Sequence, residues 1–248
     1  MNLTDIHFHG LWGVDDGPKD EKTMQAMVDA AYTDGIRTLC LTPHFHPGFF
    51  GHNESKSLRS FEALAQYAAG KYPDLRLCLG NELRYSPECT AWLADGPCRT
   101  LNGTDYVLVD FYAGESARNI SRGLDRILNA GYLPVLAHAE RYSALNTSMI
   151  QEFSHNGIRI QLNAGSLQGD FGYGARFRSH SLLRAHLVDL VCSDAHDLYR
   201  RPPGLSKAYR VIKKKYGKDC ADALCHHNAL ALLCDPGKEG MVNNHEST

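Results

Sequence analysis

Short, mostly apolar runs alternate along the chain with longer segments in which apolar residues recur every three or four positions. Apolar runs of about four to eight residues are typical of buried parallel strands. Such runs occur at residues 3–8, 36–41, 75–79, 106–111, 133–137, 158–162 and 188–192. The pattern therefore predicts an α/β protein with seven strands, each followed by enough chain for a helix.

The segments between these runs carry helical patterns. One helix is predicted between Pro18, which suits a first helical turn, and Gly35, which suits the position after the end. Its apolar face consists of Met24, Met27, Val28 and Ala31. Further apolar stripes are formed by Leu58, Phe61, Leu64, Ala65 and Ala68, by Ile120, Leu124, Ile127 and Leu128, and by Ala208, Val211 and Ile212. Each stripe is expected to cover one face of the sheet.

Histidines and carboxylates fall at the ends of the apolar runs. They are His7, His9, His44, Glu82, Asp110, His138, Asp194 and His196. A closed barrel brings the C-terminal ends of all its strands to one face, whereas an open doubly wound sheet gathers its site at one switch point. Because nearly every run contributes, we predict a barrel that is distorted by having seven strands. A multi-metal site is expected at the C-terminal ends of these strands.

The spacing and chemistry of these residues favour metal binding. His7 and His9 are two residues apart on one strand, so their side chains point the same way, and Asp194 and His196 repeat this spacing. A buried carboxylate such as Glu82 is costly without a partner, and a cation removes that cost. Imidazoles and carboxylates without thiolates suit manganese, iron or zinc. The ligand set is large enough for two or three divalent ions.

Two adjacent aspartates and two arginines extend the candidate site. Asp15 and Asp16 either form an ordinary loop and helix cap or add a ligand. Arg141 lies three residues after His138, and Arg201 lies five residues after His196. Arginine binds phosphate oxygens through paired hydrogen bonds, although each arginine could instead pair with a surface acid. Clustered cations and arginines predict an anionic substrate, with phosphate the natural choice.

The composition argues against several other classes of protein. The net charge is only −2 over 248 residues, which gives no indication of nucleic-acid or membrane-surface binding. There is no leader of basic then apolar residues and no apolar run of membrane-spanning length. No Walker-type phosphate loop and no Gly-x-Ser-x-Gly turn occurs. We therefore expect a cytoplasmic protein that is not embedded in a membrane, with its oligomeric state left open.

The cysteines and the C-terminal segment are assigned no function. In a cytoplasmic protein the eight cysteines are expected to be reduced. Near the C-terminus is a group of possible zinc ligands, namely Cys220, Cys225, His226, His227 and Cys234. Their spacing fits no standard zinc pattern, so a helix surface is preferred to a second metal site. Residues 235–248 are polar and are predicted to be a disordered tail, which leaves residues 1–234 as one domain.

Seven motifs occur in an order that carries a family resemblance. They are Asp-Ile-His-x-His, Val-Asp-Asp-Gly, Thr-Pro-His, Gly-Asn-Glu, His-x-Glu-Arg-Tyr, Gln-x-Asn-Ala-Gly-Ser-Leu and Ser-Asp-Ala-His. Over residues 3–234 the chain resembles the PHP-superfamily protein tyrosine phosphatases of bacterial capsule and exopolysaccharide operons. The resemblance implies a distorted (β/α)7 barrel, a TIM-like PHP fold, with a three-metal site that is often manganese-dependent. It implies as substrate the phosphotyrosine tail of a partner tyrosine kinase.

The resemblance also implies roles for individual residues. By position, the family's metal ligands match His7, His9, Asp16, His44, Glu82, Asp110, His138, Asp194 and His196. Arg141 and Arg201 match its phosphate-binding arginines. Where the family commonly has glutamate after the fourth strand, this chain has Asp110, whose shorter side chain could move one ion. Two alternatives stay open, namely a small-molecule phosphoesterase of the histidinol-phosphate phosphatase type and a non-catalytic regulator that binds the kinase.

Overall fold

The computed structural model describes residues 2–50 and 54–234. Within these residues nine strands, numbered β1 to β9 in chain order, pair in parallel throughout. They are Leu3–Phe8, Ile36–Leu41, His44–Phe45, Arg76–Leu79, Glu82–Arg84, Tyr106–Asp110, Leu133–Leu136, Arg159–Asn163 and Leu190–Cys192. Because all strands run the same way, their C-terminal ends lie along one edge.

Helices connect the strands and cover the sheet. In the same described ranges the α-helices, numbered α1 to α10, are Glu21–Thr33, Glu54–Lys71, Cys89–Ala94, Ala117–Asn129, Thr147–His155, Ala164–Gln168, Gly172–Arg184, Leu205–Tyr216, Lys218–Asp222 and Asn228–Leu233. None of these helices combines the length and the apolar composition that crossing a membrane requires.

The strands form a curled sheet. Their orders are β1-β2-β4 and β3-β5-β6-β7-β8-β9. The two groups continue into each other, because only two residues separate β2 from β3 and β4 from β5. Across these interruptions the Gly80 N–H donates to the Leu41 carbonyl at 2.9 Å, and the Glu82 N–H donates to the Pro43 carbonyl at 3.1 Å. At the other side the Asp194 N–H, just after β9, donates to the His7 carbonyl of β1 at 2.9 Å. The curl therefore brings β1 beside the segment that follows β9.

Asp5 ties this junction together. Its carboxylate accepts hydrogen bonds from the Ser193 N–H at 3.2 Å and from the His7 N–H at 3.1 Å. The side chain is completely buried, and burial, only partly offset by these hydrogen bonds, raises its pKa to about 6. A buried carboxylate needs such donors. Asp5 thus joins β1 to the segment after β9, next to the ligand candidates His7 and Asp194.

All seven predicted strands are confirmed, with ends that differ by no more than two residues. Two short strands, β3 and β5, were not predicted, because two or three residues are too few to show a period. They follow β2 and β4 after the interruptions Thr42-Pro43 and Gly80-Asn81. Each short strand begins at a ligand candidate, His44 in β3 and Glu82 in β5.

The predicted helix faces are confirmed in part. The buried face of α1 consists of Met24, Met27, Val28 and Ala31, as predicted. The prediction for α2 was wrong in detail, because its buried line is Ser57, Ser60, Leu64 and Ala68. Three members of the predicted stripe, Leu58, Phe61 and Ala65, are only half-buried. The helix is turned toward Ser60, whose hydroxyl accepts from the Trp12 N–H at 2.9 Å and donates to the Met24 sulfur at 3.5 Å.

The cysteine-rich C-terminal segment is helical. All eight cysteines are free thiols, and Cys225 is fully buried in the core. His226 makes a hydrogen bond of 2.9 Å with Thr4 at the start of β1. Within the described residues, no cluster of metal-type ligand atoms includes this segment. The predicted tail, residues 235–248, lies outside the described residues.

Candidate metal centre

Two imidazoles from β1 form the deepest part of the site. His7 and His9 are completely buried, and their Nε2 atoms are 3.2 Å apart. The Glu82 carboxylate lies 3.3 Å from His7 Nε2 and 3.2 Å from His9 Nε2. The Asp194 carboxylate lies 3.3 and 3.6 Å from the same two atoms. Two imidazole nitrogens thus face each other between two carboxylates.

Glu82 connects this pair to the middle of the sheet. One of its oxygens lies 3.1 Å from His138 Nε2, and the other lies 2.8 Å from His44 Nδ1. Asp110, at the end of β6, lies 3.7 Å from His138 Nε2. A single carboxylate is therefore shared among four imidazoles, those of His7, His9, His44 and His138.

The remaining predicted ligands are Asp16 and His196. His196 Nε2 is 3.3 Å from the Asp16 carboxylate, and His44 Nε2 is 3.5 Å from it. The rings of His9 and His196 stack with their centroids 3.8 Å apart. Asp16 is about half exposed, whereas His196 is buried. The structure thus brings all nine predicted ligand residues to one edge of the sheet.

These side chains are compatible with metal ions. Three groups have ligand atoms that all lie within 4.8 Å of one another, namely His9, Asp16, His44 and His196, then His7, His9 and Asp194, then His44, Glu82 and Asp110. Bonds of about 2.1 Å would separate two ligands of one ion by roughly 3.0 to 3.4 Å. The spacings around His7 and His9 fall close to this range. Imidazole and carboxylate donors suit divalent transition metals.

Asp15, the neighbour of Asp16, orients a ligand. Its carboxylate lies 2.7 Å from His9 Nδ1 and accepts from the backbone N–H groups of His44 at 3.0 Å and Gly17 at 2.9 Å. A carboxylate on Nδ1 leaves Nε2 as the metal-binding atom. Gly17 is required here because a Cβ atom would lie 2.3 Å from the His9 carbonyl. Asp15 therefore lies in a loop and contacts a ligand candidate, whereas the helix cap of α1 is Asp20.

Two polar residues of β8 also orient ligands. The Gln161 side-chain oxygen accepts from the His138 N–H at 2.7 Å and lies 3.2 Å from His7 Nδ1. The Asn163 amide donates to Asp194 at 2.6 Å. Neither residue was predicted to take part in the site. Their occurrence as two polar side chains at alternate positions of a buried strand could have indicated such a role.

Arg84 and Tyr142 hold Asp110. The Arg84 guanidinium lies 2.6 Å from one oxygen of Asp110, and the Tyr142 hydroxyl donates to the other at 2.9 Å. Both partners were missed by the sequence analysis, although Arg84 lies two residues after Glu82 and Tyr142 belongs to the motif that contains Arg141. These contacts fix the short side chain of Asp110 toward the cluster.

The two predicted phosphate-binding arginines lie at the same cleft. Arg201 Nη2 lies 2.7 Å from one oxygen of Asp194, and Arg141 Nη1 lies 3.8 Å from the other. Both line a cleft of about 250 Å³, together with Glu82 and His138. Cationic side chains therefore border the imidazole and carboxylate cluster on its open side.

Burial and charge set the protonation of the cluster. Burial lowers the pKa of His9, but the Asp15 and Glu82 carboxylates outweigh burial and raise it to about 10. Burial raises the pKa of Glu82, but the imidazoles of His7 and His44 hold it well below its usual value. Burial and the neighbouring His9 lower the pKa of His196 to about 4. A cation that binds here replaces protons on the imidazoles.

Two ligand candidates adopt an uncommon backbone conformation. His138 has φ 34° and Asp194 has φ 54°, both in the left-handed region. Residues other than glycine rarely occupy this region, and such strain gathers at functional sites. Each residue lies two positions after the last residue of a strand, β7 for His138 and β9 for Asp194.

The chain resembles known proteins over nearly its full length. Residues 3–234 match the family described as capsular polysaccharide synthesis, CpsB/CapC. The chain is 34% identical over 240 residues to the tyrosine-protein phosphatase CpsB of Streptococcus pneumoniae, which covers 94% of this chain and 99% of that protein. It is 30% identical over 232 residues to the tyrosine-protein phosphatase YwqE of Bacillus subtilis, covering 93% and 91% of the two chains.

Solved structures show the same architecture. A structure from the work on YwqE of Bacillus subtilis and CpsB of Streptococcus pneumoniae, described as unique metal-dependent tyrosine phosphatases, superposes with a TM-score of 0.85 at 31% identity over 94% of both chains. An organophosphorus hydrolase of Deinococcus radiodurans superposes with a TM-score of 0.61 at 12% identity. The second similarity concerns the fold alone.

Proposed function

Because this chain belongs to the CpsB/CapC family of capsular polysaccharide synthesis, we propose that it hydrolyses phosphotyrosine in proteins at the cluster of strand-end ligands. It is a metal-dependent tyrosine-protein phosphatase, as its relatives are. The observation that carries the proposal is the convergence of nine imidazole and carboxylate side chains at one edge of the sheet, beside a cleft that Arg141 and Arg201 line.

We assign the metal ligands as His7, His9, Asp16, His44, Glu82, Asp110, His138, Asp194 and His196. Glu82 lies between two pairs of imidazoles, those of His7 and His138 at one oxygen and those of His9 and His44 at the other, and would be suited to bind two ions. The set holds two or three divalent ions, which we propose to be manganese, with iron or zinc as alternatives. Such ions, when bound, lower the pKa of water and stabilise negative charge on phosphoryl oxygens.

The arginines bind and orient the phosphate. Arg141 is about one-third exposed and Arg201 about one-quarter exposed, so their guanidinium groups can reach a ligand in the cleft. Among the described residues, the buried Nε of Arg201 has no hydrogen-bond partner. A phosphate seated between the two arginines would take up these donors. Glu82 and His138 line the same cleft.

We further propose the place of this activity in the cell. The substrate is the phosphotyrosine tail of a bacterial tyrosine kinase that controls capsular or exopolysaccharide synthesis, and the protein acts in the cytoplasm. The family description supports the link to capsule synthesis.

We infer that the curled sheet is a distorted (β/α)7 barrel. Support comes from treating β2 with β3, and β4 with β5, as single interrupted strands, since only two residues separate the members of each pair. Residues 1–234 would then form one PHP-type metallophosphatase domain, with residues 235–248 as a tail.

One assay tests the metal and the reaction together. The purified protein is stripped with a chelator, and phosphate release from a phosphotyrosine peptide is measured with and without added manganese. We expect release only when metal is added back. Turnover of small phosphate esters but of no peptide, with every divalent metal, would instead indicate a small-molecule phosphoesterase. Binding of the peptide without any turnover would indicate a non-catalytic regulator.

A further inference from the structure

A second cleft adjoins the metal centre. Its volume is about 490 Å³, roughly twice that of the cleft over the ligands. Its wall is largely apolar and contains Pro47, Tyr85, Pro87, Trp92 and Tyr112. Arg84 lines both clefts, so the two clefts share this residue as part of their walls.

Arg84, the residue that lines both clefts, is held in place by two contacts. One side of its guanidinium pairs with Asp110 at 2.6 Å. The group also lies over the ring of Tyr112, 4.5 Å from the ring centroid. The Tyr112 hydroxyl in turn makes a hydrogen bond of 3.1 Å with His46. These contacts tie the shape of the second cleft to the ligand cluster.

Two aromatic residues of the wall, Tyr85 and Trp92, are held by packing within the protein. Trp92 packs against the buried ring of Phe45 at 5.4 Å, and Tyr85 packs against Phe111 at 5.0 Å. Gly123 of α4 permits this packing, because a Cβ there would lie 2.7 Å from Phe111. The aromatic rings are therefore anchored in the core and present fixed faces to the cleft.

We propose that the second cleft binds an aromatic side chain of the substrate peptide, one or two residues from the phosphotyrosine. The proposal rests on the proposed phosphatase function. An extended chain advances about 3.3 to 3.6 Å per residue. A residue that flanks the phosphotyrosine can therefore place its side chain past Arg84 in the second cleft. Aromatic rings pack well edge-to-face or offset against the rings of Tyr85, Trp92 and Tyr112. The guanidinium of Arg122 at the rim adds a cation that an aromatic face attracts.

This assignment separates the recognition of phosphate from the recognition of sequence. The cleft over the ligands is lined mainly by charged and imidazole groups, which can bind any phosphate ester. A preformed apolar cleft of this size is typical of a specific binding site. Selection among phosphotyrosine sites would then depend on the flanking residue.

The test uses the metal-loaded protein and a panel of phosphotyrosine peptides. The first peptide has alanine at all four flanking positions, two before and two after the phosphotyrosine. Each of four further peptides has a single phenylalanine at one of these positions. We expect at least one phenylalanine peptide to be hydrolysed with a kcat/KM about tenfold higher than the alanine peptide, through a lower KM, because burial of an aromatic ring is favourable. Phenyl phosphate, which has no flanking residue, provides the reference activity.

A variant that blocks the cleft gives the decisive comparison. Asn119 is exposed on α4 and lines the second cleft, so Asn119→Trp fills it without removing a core contact. This variant is expected to hydrolyse phenyl phosphate normally and to lose the preference for phenylalanine. Arg118→Trp is the matched control, since Arg118 is the exposed neighbour on the same helix and is not part of the cleft wall.

The outcomes distinguish this proposal from the proposed function. Hydrolysis of phenyl phosphate by the unaltered protein, without any phenylalanine preference, would overturn the subsite and leave the phosphatase function intact. A preference that survives in Asn119→Trp would also overturn it. Failure to hydrolyse any phosphate ester with any divalent metal would overturn the proposed function, and the subsite with it.

Discussion

Asp194 makes contacts of three kinds at once. Its carboxylate lies 3.3 Å from His7, accepts from Asn163 at 2.6 Å and pairs with Arg201 at 2.7 Å. Burial raises its pKa, but His7 and Arg201 outweigh burial and hold it well below the usual value. A carboxylate this deeply buried needs such partners to stay ionised. It is consequently suited both to bind a cation and to orient Arg201.

Arg141 provides a direct test of phosphate binding. Arg141→Ala removes a charged contact to the phosphate, which should cost on the order of 1.5 to 3 kcal/mol. The expected result is a kcat/KM for phenyl phosphate lowered by roughly ten- to a hundredfold. Arg118→Ala, at an exposed arginine of α4, serves as the control. An unchanged value for Arg141→Ala would remove this residue from the phosphate site.

Asp15 provides a test of ligand orientation. Asp15→Ala removes the acceptor that fixes His9 through Nδ1, and loss of such a partner typically weakens metal affinity by about 10- to 100-fold. Isothermal titration of the chelator-stripped protein with manganese measures this change. Asp20→Ala, at an exposed aspartate of the same loop that caps α1, should bind manganese as the unaltered protein does. Equal affinity in both variants would contradict the orienting role.

At the scale of elements, one carboxylate joins α1 to α2 and to the turn that follows α2. Asp29 of α1 accepts from the hydroxyls of Tyr67 and Tyr72 and from the Lys71 ammonium, each at 2.8 Å. Burial raises the pKa of Asp29, but the bonds from Lys71 and the two tyrosines outweigh burial and lower it. The ionised form is therefore favoured by the folded protein.

This shift predicts a pH-dependent stability. Because the folded-state pKa lies below the ordinary value of 3.8, the contribution of Asp29 is complete above that value and is lost as pH falls through the folded-state pKa. Asp29→Asn should lower the free energy of unfolding at pH 7, by a modest amount since the Asp29 side chain is about one-third exposed and solvent screens its charge. Urea unfolding from pH 7 to pH 2 should show this difference shrinking. Glu62→Gln, on the exposed side of α2, is the control. If it lowers the free energy of unfolding by a similar amount and with the same pH dependence, the effect comes from the change in net charge and not from the contacts of Asp29.

At the scale of the whole molecule, the strand-end cluster gathers carboxylates that a bound cation would neutralise. Four carboxylates, Asp16, Glu82, Asp110 and Asp194, converge at one edge of the sheet. Burial, together with the charge of Glu82, raises the pKa of Asp110, so the ionised form of this carboxylate gains from a nearby cation. Ions that bind only the folded protein therefore stabilise it by mass action.

Metal removal should lower the melting temperature. A ligand at a hundred times its dissociation constant adds about 2.7 kcal/mol, equivalent to roughly 5 to 10 °C for a chain of this size. Scanning calorimetry with chelator and with manganese measures the shift. A double variant, His7→Ala with His9→Ala, is the control, because chelator should no longer change its melting temperature. An identical melting temperature of the unaltered protein in both conditions would mean that the ions do not support the fold.

Local patterns in the sequence were enough to predict the strands and the chemistry of their ends. Buried parallel strands have an apolar pattern that needs no knowledge of distant residues, and imidazoles and carboxylates are recognisable wherever they occur. For this reason the positions of His7, Glu82 and Asp194 at one edge could be predicted. The short strands β3 and β5, and the helices α5 and α7, were not predicted individually, because they are too short or too weakly patterned.

The contacts between side chains depend on how the whole chain folds. The contacts of Gln161 with His7, of Tyr142 with Asp110 and of Arg84 with Tyr112 join residues that are far apart in the chain, and local patterns carry no information about such distances. The turn of α2 toward Ser60 likewise depended on a hydrogen bond to the first loop. The second cleft arises in the same way, from segments that lie side by side only after the sheet has curled.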